Sequence, residues 1–189
     1  EMIGAETLLR WKHPTMGEVS PYEFISVCEE TRQILPISDW VLKSAFEHLS
    51  YWIRQGLPNS FQRLSINISP IQFQDPNFSE RVKELLTLCN CPADFIEFEI
   101  TESTLFKSEA TAKMRMDELK SLGISLALDD FGTGYSSLRH LKDLSLDVIK
   151  IDQSLIRNLH QDSGELAITD SILTMAEKLK MNVVAEGVE

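Results

Sequence analysis

Residues 95–101 read Phe95-Ile96-Glu97-Phe98-Glu99-Ile100-Thr101, and from Ile96 onward apolar and polar side chains alternate without a break. Successive side chains of an extended strand point to opposite faces, so Ile96, Phe98 and Ile100 share one face and Glu97, Glu99 and Thr101 the other. The same split recurs in both directions along the chain. Upstream, in residues 63–69, Leu64, Ile66 and Ile68 oppose Ser65, Asn67 and Ser69; downstream, in residues 148–152, Ile149 and Ile151 oppose Val148, Lys150 and Asp152. Residues 3–11, 124–130 and 182–186 complete six strand candidates. In the first, Gly4, Glu6, Leu8 and Arg10 share a face; in the last, Asn182, Val184 and Glu186 do.

Helical stretches separate most of these strands. Val41, Ala45, Leu49 and Trp52 follow helical spacing, as do Ala167, Ile168, Ile172, Met175 and Leu179. The first connection is expected to hold two helices, one after Pro21 and a longer one after Pro36. Strands joined through helices imply right-handed crossovers and a mainly parallel sheet. An antiparallel sheet with one wet face would give the same alternation, but its neighbours need no helical crossovers. No linker, repeat or low-complexity tract interrupts the 189 residues, which read as one domain over residues 1–189. A closed eight-stranded barrel usually takes about 250 residues. The expected fold is therefore a TIM-like (β/α)8 barrel lacking its first and last strands, incomplete at both ends, with an open doubly wound sheet as the competing architecture. Two open edges would weaken such a chain or drive it into a homodimer.

With 18 Lys plus Arg against 29 Asp plus Glu, the formal charge is −11. That balance disfavours nucleic-acid polymers as partners, since phosphate backbones are held mainly by basic residues. Hydrophobic residues make up 43% and charged residues 25%, a composition that can build a core. Neither a spanning apolar run nor a secretion signal is readable, so no membrane contact is expected from this segment. The three cysteines, Cys28, Cys89 and Cys91, lack zinc-ligand spacing and suggest reduced thiols in a cytoplasmic setting.

A parallel sheet covered by helices buries both faces, so its charged strand residues need a reason. Carboxylates arrive from at least four strands, mostly near the C-terminal ends where barrel active sites lie. Carboxylates sharing a buried site repel unless protonated or neutralised by a cation. Glu6, Asn67, Glu99, Asp129 and Asp130, read as sharing an inward face, offer hard oxygen ligands suited to Mg²⁺ or Mn²⁺; zinc-type His and Cys ligands are missing from these strands. Lys150, between apolar neighbours, is either a counter-ion to this cluster or a catalytic group. Asp129-Asp130 lead into a glycine loop, Gly132-Thr133-Gly134, which also reads as a plain turn with Ser136 or Ser137 capping the next helix. None of His13, His48, His140 and His160 is placed to act.

Taken together, Gly4-Ala5-Glu6-Thr7-Leu8-Leu9-Arg10-Trp11, Asn67 in Ser65-Ile66-Asn67-Ile68-Ser69, Glu99-Ile100-Thr101-Glu102, Asp129-Asp130-Phe131-Gly132-Thr133-Gly134-Tyr135-Ser136-Ser137-Leu138, Lys150-Ile151-Asp152 and Glu186-Gly187-Val188-Glu189 strongly resemble the EAL-domain family of bacterial cyclic di-GMP phosphodiesterases. The likeness runs through essentially the whole chain, in order. It implies a barrel whose two Mg²⁺ or Mn²⁺ ions serve hydrolysis of cyclic di-GMP to linear pGpG. By the motifs, Glu6, Asn67, Glu99 and Asp129 look like ligands of one ion, with Asp129, Asp130 and Glu186 surrounding the other. Lys150 resembles the lysine that holds the attacking water, with Glu186 close enough to take its proton, and Glu102 the residue that anchors the glycine loop. Leu8, Arg10 and Pro21 look like substrate contacts.

Two departures stand out. The signature tripeptide reads Glu6-Thr7-Leu8 where the family has Glu-Ala-Leu; Thr7 has the opposite parity to Glu6 and is expected to face away from the chemistry. Family members also have a strand before this one and a further strand with a glutamine after the Glu-Gly-Val-Glu motif. Flanking sensor or synthase domains are expected in the parent protein. A non-catalytic cyclic di-GMP receptor and a protein-interaction module are the rival functions.

Overall fold

The computed structural model describes residues 2–106, 109–132, 141–157, 159 and 163–188; residues 133–138 of the glycine loop, His140, His160 and Glu189 lie outside them. Packing divides the chain into two units, Glu1–Phe98 with Leu122–Ile124 and Glu99–Ser121 with Ser125–Glu189.

The first unit begins with strand β1 (Gly4–Thr7), a hairpin of β2 (Trp11–His13) and β3 (Gly17–Val19), and helices α1 (Pro21–Glu30) and α2 (Ile34–Gln55). Strand β4 (Arg63–Asn67), the short helix α3 (Pro70–Phe73), α4 (Phe78–Cys89) and the start of β5 (Ile96–Thr101) follow. β1 runs parallel to β4, with Glu6 opposite Ser65. The second unit holds the end of β5, α5 (Glu102–Phe106), α6 (Glu109–Ser121), β6 (Ser125–Phe131), β7 (Val148–Ile151), α7 (Gln153–Arg157), α8 (Ser163–Leu179) and β8 (Asn182–Ala185). Here β7 is parallel to both β6 and β8.

The sheet order is β1-β4-β5-β6-β7-β8, without a reversal. A doubly wound sheet turns back at a switch point, whereas a barrel adds each strand to the last, so the order is that of a TIM-like fold. Burial also excludes a wet polar face on β5: Ile96, Phe98 and Ile100 are fully buried, and so, nearly, are Glu97 and Glu99.

Four expectations need correction. The first strand stops at Thr7, and Trp11 opens the β2–β3 hairpin, so Leu8 and Arg10 lie beyond the strand that carries Glu6. The hairpin turn is secured by His13, whose Nδ1 accepts from the Thr15 and Met16 N–H groups at 3.3 Å, and by Trp11 packing edge-on to Phe24 of α1. Helix α2 starts at Ile34, before Pro36, because a proline in the first turn lacks only an N–H that has no intrahelical partner there. Its buried face runs through Ser38, Leu42, Ala45, Phe46 and Leu49, leaving Trp52 at the margin beside His48. In α8 the buried line is Thr169, Ile172 and Ala176, while Ile168 is half exposed. Both helices are rotated by what they pack on, and apolar spacing alone does not fix that rotation.

The fourth correction concerns Asp129 and Asp130. Consecutive residues of a regular strand cannot share a face. The register of β6 against β7 shifts between Leu128 and Phe131, and Asp130 takes a left-handed φ of 55°. This bulge, at a residue type that tolerates the conformation, turns the second carboxylate toward the side of the first.

Candidate functional site

In the first unit, adjacent strands bring Glu6 and Asn67 together. The Asn67 Nδ2 donates to Glu6 Oε1 at 2.8 Å, leaving the amide oxygen and the second carboxylate oxygen for other partners. Thr7 is turned to the neighbouring strand and donates to the Ser65 carbonyl at 2.6 Å, so threonine in place of alanine adds a tie between β1 and β4. Leu8 and Arg10 are exposed, and Arg10 donates to its neighbour's carbonyl, Leu9 O, at 2.9 Å. Pro21 is the first residue of α1. That helix is fastened to the end of β4 by Ser69, which donates to Glu29 Oε1 at 2.7 Å and also caps α3 through the Ile71 N–H. Sequence reasoning passed over Glu29, because a carboxylate on a helix looks like surface until its partner is known.

In the second unit Lys150, 8% exposed, lies among three carboxylates. Its Nζ is 2.7 Å from Glu186 Oε1, 2.8 Å from Glu99 Oε1 and 3.2 Å from Asp129 Oδ1. Burial pulls the ammonium pKa down, but hydrogen bonds to Glu186 and Glu99 and the charges of Glu99 and Asp129 outweigh it and hold it above the ordinary lysine value. Asp129, Asp130 and Glu186 each offer a carboxylate oxygen, all within 4.8 Å of one another. Burial, then the charges of Asp129, Asp152 and Glu186, push the Asp130 pKa up. Asp152, quoted in the motif without a role, is thus a further carboxylate near Asp130; its own pKa is lowered by the Ser154 hydroxyl and N–H. Glu102 begins α5, beside a hydroxyl cluster in which Thr101 Oγ1 lies 3.0 Å from Thr104 Oγ1; the loop it is expected to anchor lies outside the described residues.

Among the described residues, Lys150 meets Glu99, Asp129 and Glu186, and like charges gathered in one site are relieved by a cation. Among the described residues, the buried Asp129 Oδ1 accepts no hydrogen bond although Lys150 is near. Hard oxygen donors closely grouped around an oxygen still open fit Mg²⁺ or Mn²⁺. Of the remaining expected groups, Glu97 is engaged by Arg63 and Ser65, His48 bonds the Ser44 carbonyl along α2, and the cysteines are free thiols, with burial pushing Cys91 up to about 11.

A sheet in the order of a TIM-like fold with carboxylates at its strand ends is met in many enzyme classes, and the family comparison narrows them. The EAL domain profile matches residues 1–189, and the chain belongs to that family. It is 38% identical over 186 residues to "Cyclic di-GMP phosphodiesterase PA2567" of Pseudomonas aeruginosa, covering 98% of this chain and 31% of that protein. It is 35% identical over 188 residues to "Bifunctional diguanylate cyclase/cyclic di-GMP phosphodiesterase MucR" of the same species, covering 100% and 27%. The solved "PaMucR Phosphodiesterase, c-di-GMP complex" superposes with a TM-score of 0.93 at 35% identity, covering all of this chain and 76% of that one. The chain thus spans about a third or less of the length of these curated relatives. Among the described residues, no helix is long and apolar enough to cross a membrane.

Proposed function

We propose that the chain hydrolyses one phosphodiester bond of cyclic di-GMP, giving linear pGpG. The observation that carries this reading is the gathering of Glu99, Asp129, Asp130 and Glu186 around Lys150, in a family whose named relatives are cyclic di-GMP phosphodiesterases. Glu6, Asn67, Glu99, Asp129, Asp130 and Glu186 would hold two Mg²⁺ or Mn²⁺ ions. Bound there, the ions supply Lewis-acid stabilisation of the phosphoryl charge and lower the pKa of the attacking water.

The chain's own groups divide the remaining work. Lys150, with its pKa raised, stays protonated at neutral pH, so it serves as a hydrogen-bond donor that orients the water or meets developing negative charge and does not serve as the base. Proton acceptance falls to Glu186, already in contact with Lys150. Exposed Arg10 is free to meet a phosphate that an acidic protein would otherwise repel. Leu8 and Pro21 offer apolar contact to the guanine bases, and Glu102 steadies the loop after β6.

The test is pGpG formation with Mg²⁺ or Mn²⁺, beside direct cyclic di-GMP binding. Asp129→Asn is expected to abolish turnover, and Lys150→Ala to lower it by about 10²–10⁴ while cyclic di-GMP binding changes only slightly. Tight binding without turnover in metal-supplemented wild-type protein would establish the receptor reading instead.

A further inference from the structure

Helix α7 touches both turns that carry the clustered carboxylates of the second unit. Gly132, two residues beyond Asp130, and Gly187, the residue after Glu186, have positive φ values of 103° and 65°. A β-carbon on Gly187 would stand 2.8 Å from the Gln153 Cβ, and one on Gly132 would overlap the Leu155 side chain. Gln153 and Leu155 are the first and third residues of α7. Each glycine therefore does two things: it adopts a backbone conformation disfavoured for other residues, and it lets the turn close onto the helix.

The backbone repeats this connection. The Asp152 N–H donates to the Phe131 carbonyl at 3.4 Å, and the Glu186 N–H to the Ile151 carbonyl at 3.0 Å. The entry to α7 is itself held, since Asp152 Oδ1 accepts from the Ser154 N–H at 2.9 Å. Arg157 Nη2 donates to Gln153 Oε1 at 2.7 Å and fixes the side chain that faces Gly187. Nothing in the sequence pattern marks residues 153–155 as functional, and none of them offers a ligand to the cluster.

We propose that residues 152–155 form a positioning wedge: by bearing on the Gly132 and Gly187 turns at once, they set the separation of the Asp130 and Glu186 carboxylates for a divalent cation. Gln153 and Leu155 are then positioning residues, acting through the two turns. The inference rests on reading Asp129, Asp130 and Glu186 as a cation site. Ligand oxygens must be held to within roughly 0.5 Å to chelate well, and a methyl added at Gly187, 2.8 Å from the Gln153 Cβ, would force its turn or Gln153 to shift.

The experiment measures Mn²⁺ affinity by the EPR signal of free Mn²⁺, with circular dichroism and thermal melting on the same samples. Gly187→Ala is expected to weaken Mn²⁺ binding by about tenfold or more, the usual scale for losing support behind a metal ligand. Combining it with Gln153→Gly removes the β-carbon that the new methyl meets, and should recover most of the affinity. The same pair places a second unfavourable residue in the protein and lowers its melting temperature further. A purely structural role predicts the opposite ranking, with the double variant, as the least stable, binding worst. Unchanged affinity in Gly187→Ala, or no recovery in the double variant, overturns the wedge. If wild-type protein shows no Mn²⁺ binding that Asp129→Asn removes, the cation-site reading fails and the wedge falls with it.

Discussion

Glu97 and Glu99 stand two residues apart on β5 and are 6% and 2% exposed, yet their surroundings differ in kind. Glu97 is met by Arg63 Nη1 at 2.5 Å and by the Ser65 hydroxyl at 3.0 Å. Glu99 shares the Lys150 ammonium with Asp129 and Glu186. The first arrangement pairs a carboxylate with a guanidinium. In the second, among the described residues, three carboxylates meet the same ammonium. A closed buried pair contributes to keeping a fold unique, whereas a cluster with excess like charge costs stability until a cation completes it. The difference between the two glutamates is the one expected between a scaffold pair and the proposed site.

The largest expected effect breaks the open cluster. Lys150→Met removes the ammonium that meets Glu99, Asp129 and Glu186, and in EDTA the protein should lose about 3–5 kcal/mol, measured by denaturant unfolding. Excess Mn²⁺ should restore a large part of that loss; equal loss with and without Mn²⁺ would show that the cluster is no cation site. The elevated pKa sets the pH behaviour in wild type. A lysine whose folded pKa is raised gives stability that is complete below the ordinary lysine value and lost as pH rises through the folded one. Metal-free stability should accordingly keep this contribution between about pH 7 and 9.

The middle effect probes the closed pair. Glu97→Gln leaves Arg63 without a counter-charge, but the arginine side chain is 31% exposed and can rehydrate. A loss of about 1–2 kcal/mol is expected, insensitive to Mn²⁺, with pGpG formation within a few-fold of wild type. Replacing both partners, Arg63→Met with Glu97→Leu, should bring stability back near wild type. A Mn²⁺-dependent melting shift in Glu97→Gln would erase the distinction between the two glutamates.

The smallest effect concerns a group that takes no part in either cluster. Burial pushes the Cys91 thiol up to about 11, so near pH 8 only roughly one molecule in a thousand carries its thiolate. Folded protein should leave Cys91 unalkylated by iodoacetamide on a timescale that labels all three cysteines after unfolding, read by peptide mass spectrometry. Rapid native labelling of Cys91 would show that the packing around it opens readily.

The sequence by itself determined which faces of the strands are polar, the positions of the six strands of the larger sheet to within a few residues but not the β2–β3 hairpin, and the chemistry on offer, carboxylates with an amide and a lysine. These are local properties, because side chains alternate along any extended strand whatever lies beside it. Only the tertiary structure decided which polar residues are already engaged. Glu97 and Glu99 share one face by alternation and only the motif singles out Glu99; the guanidinium that engages Glu97 comes from 34 residues upstream. The same holds for Asp130, which alternation would send away from Asp129; a register shift against β7 and a left-handed φ bring its carboxylate back. Helix rotation was equally beyond reach of the sequence, as Trp52 and Ile168 show, since spacing defines a stripe and packing chooses where it faces. Register, bulges, helix rotation and charge pairing all depend on residues distant in the chain, and so become fixed only when the elements meet.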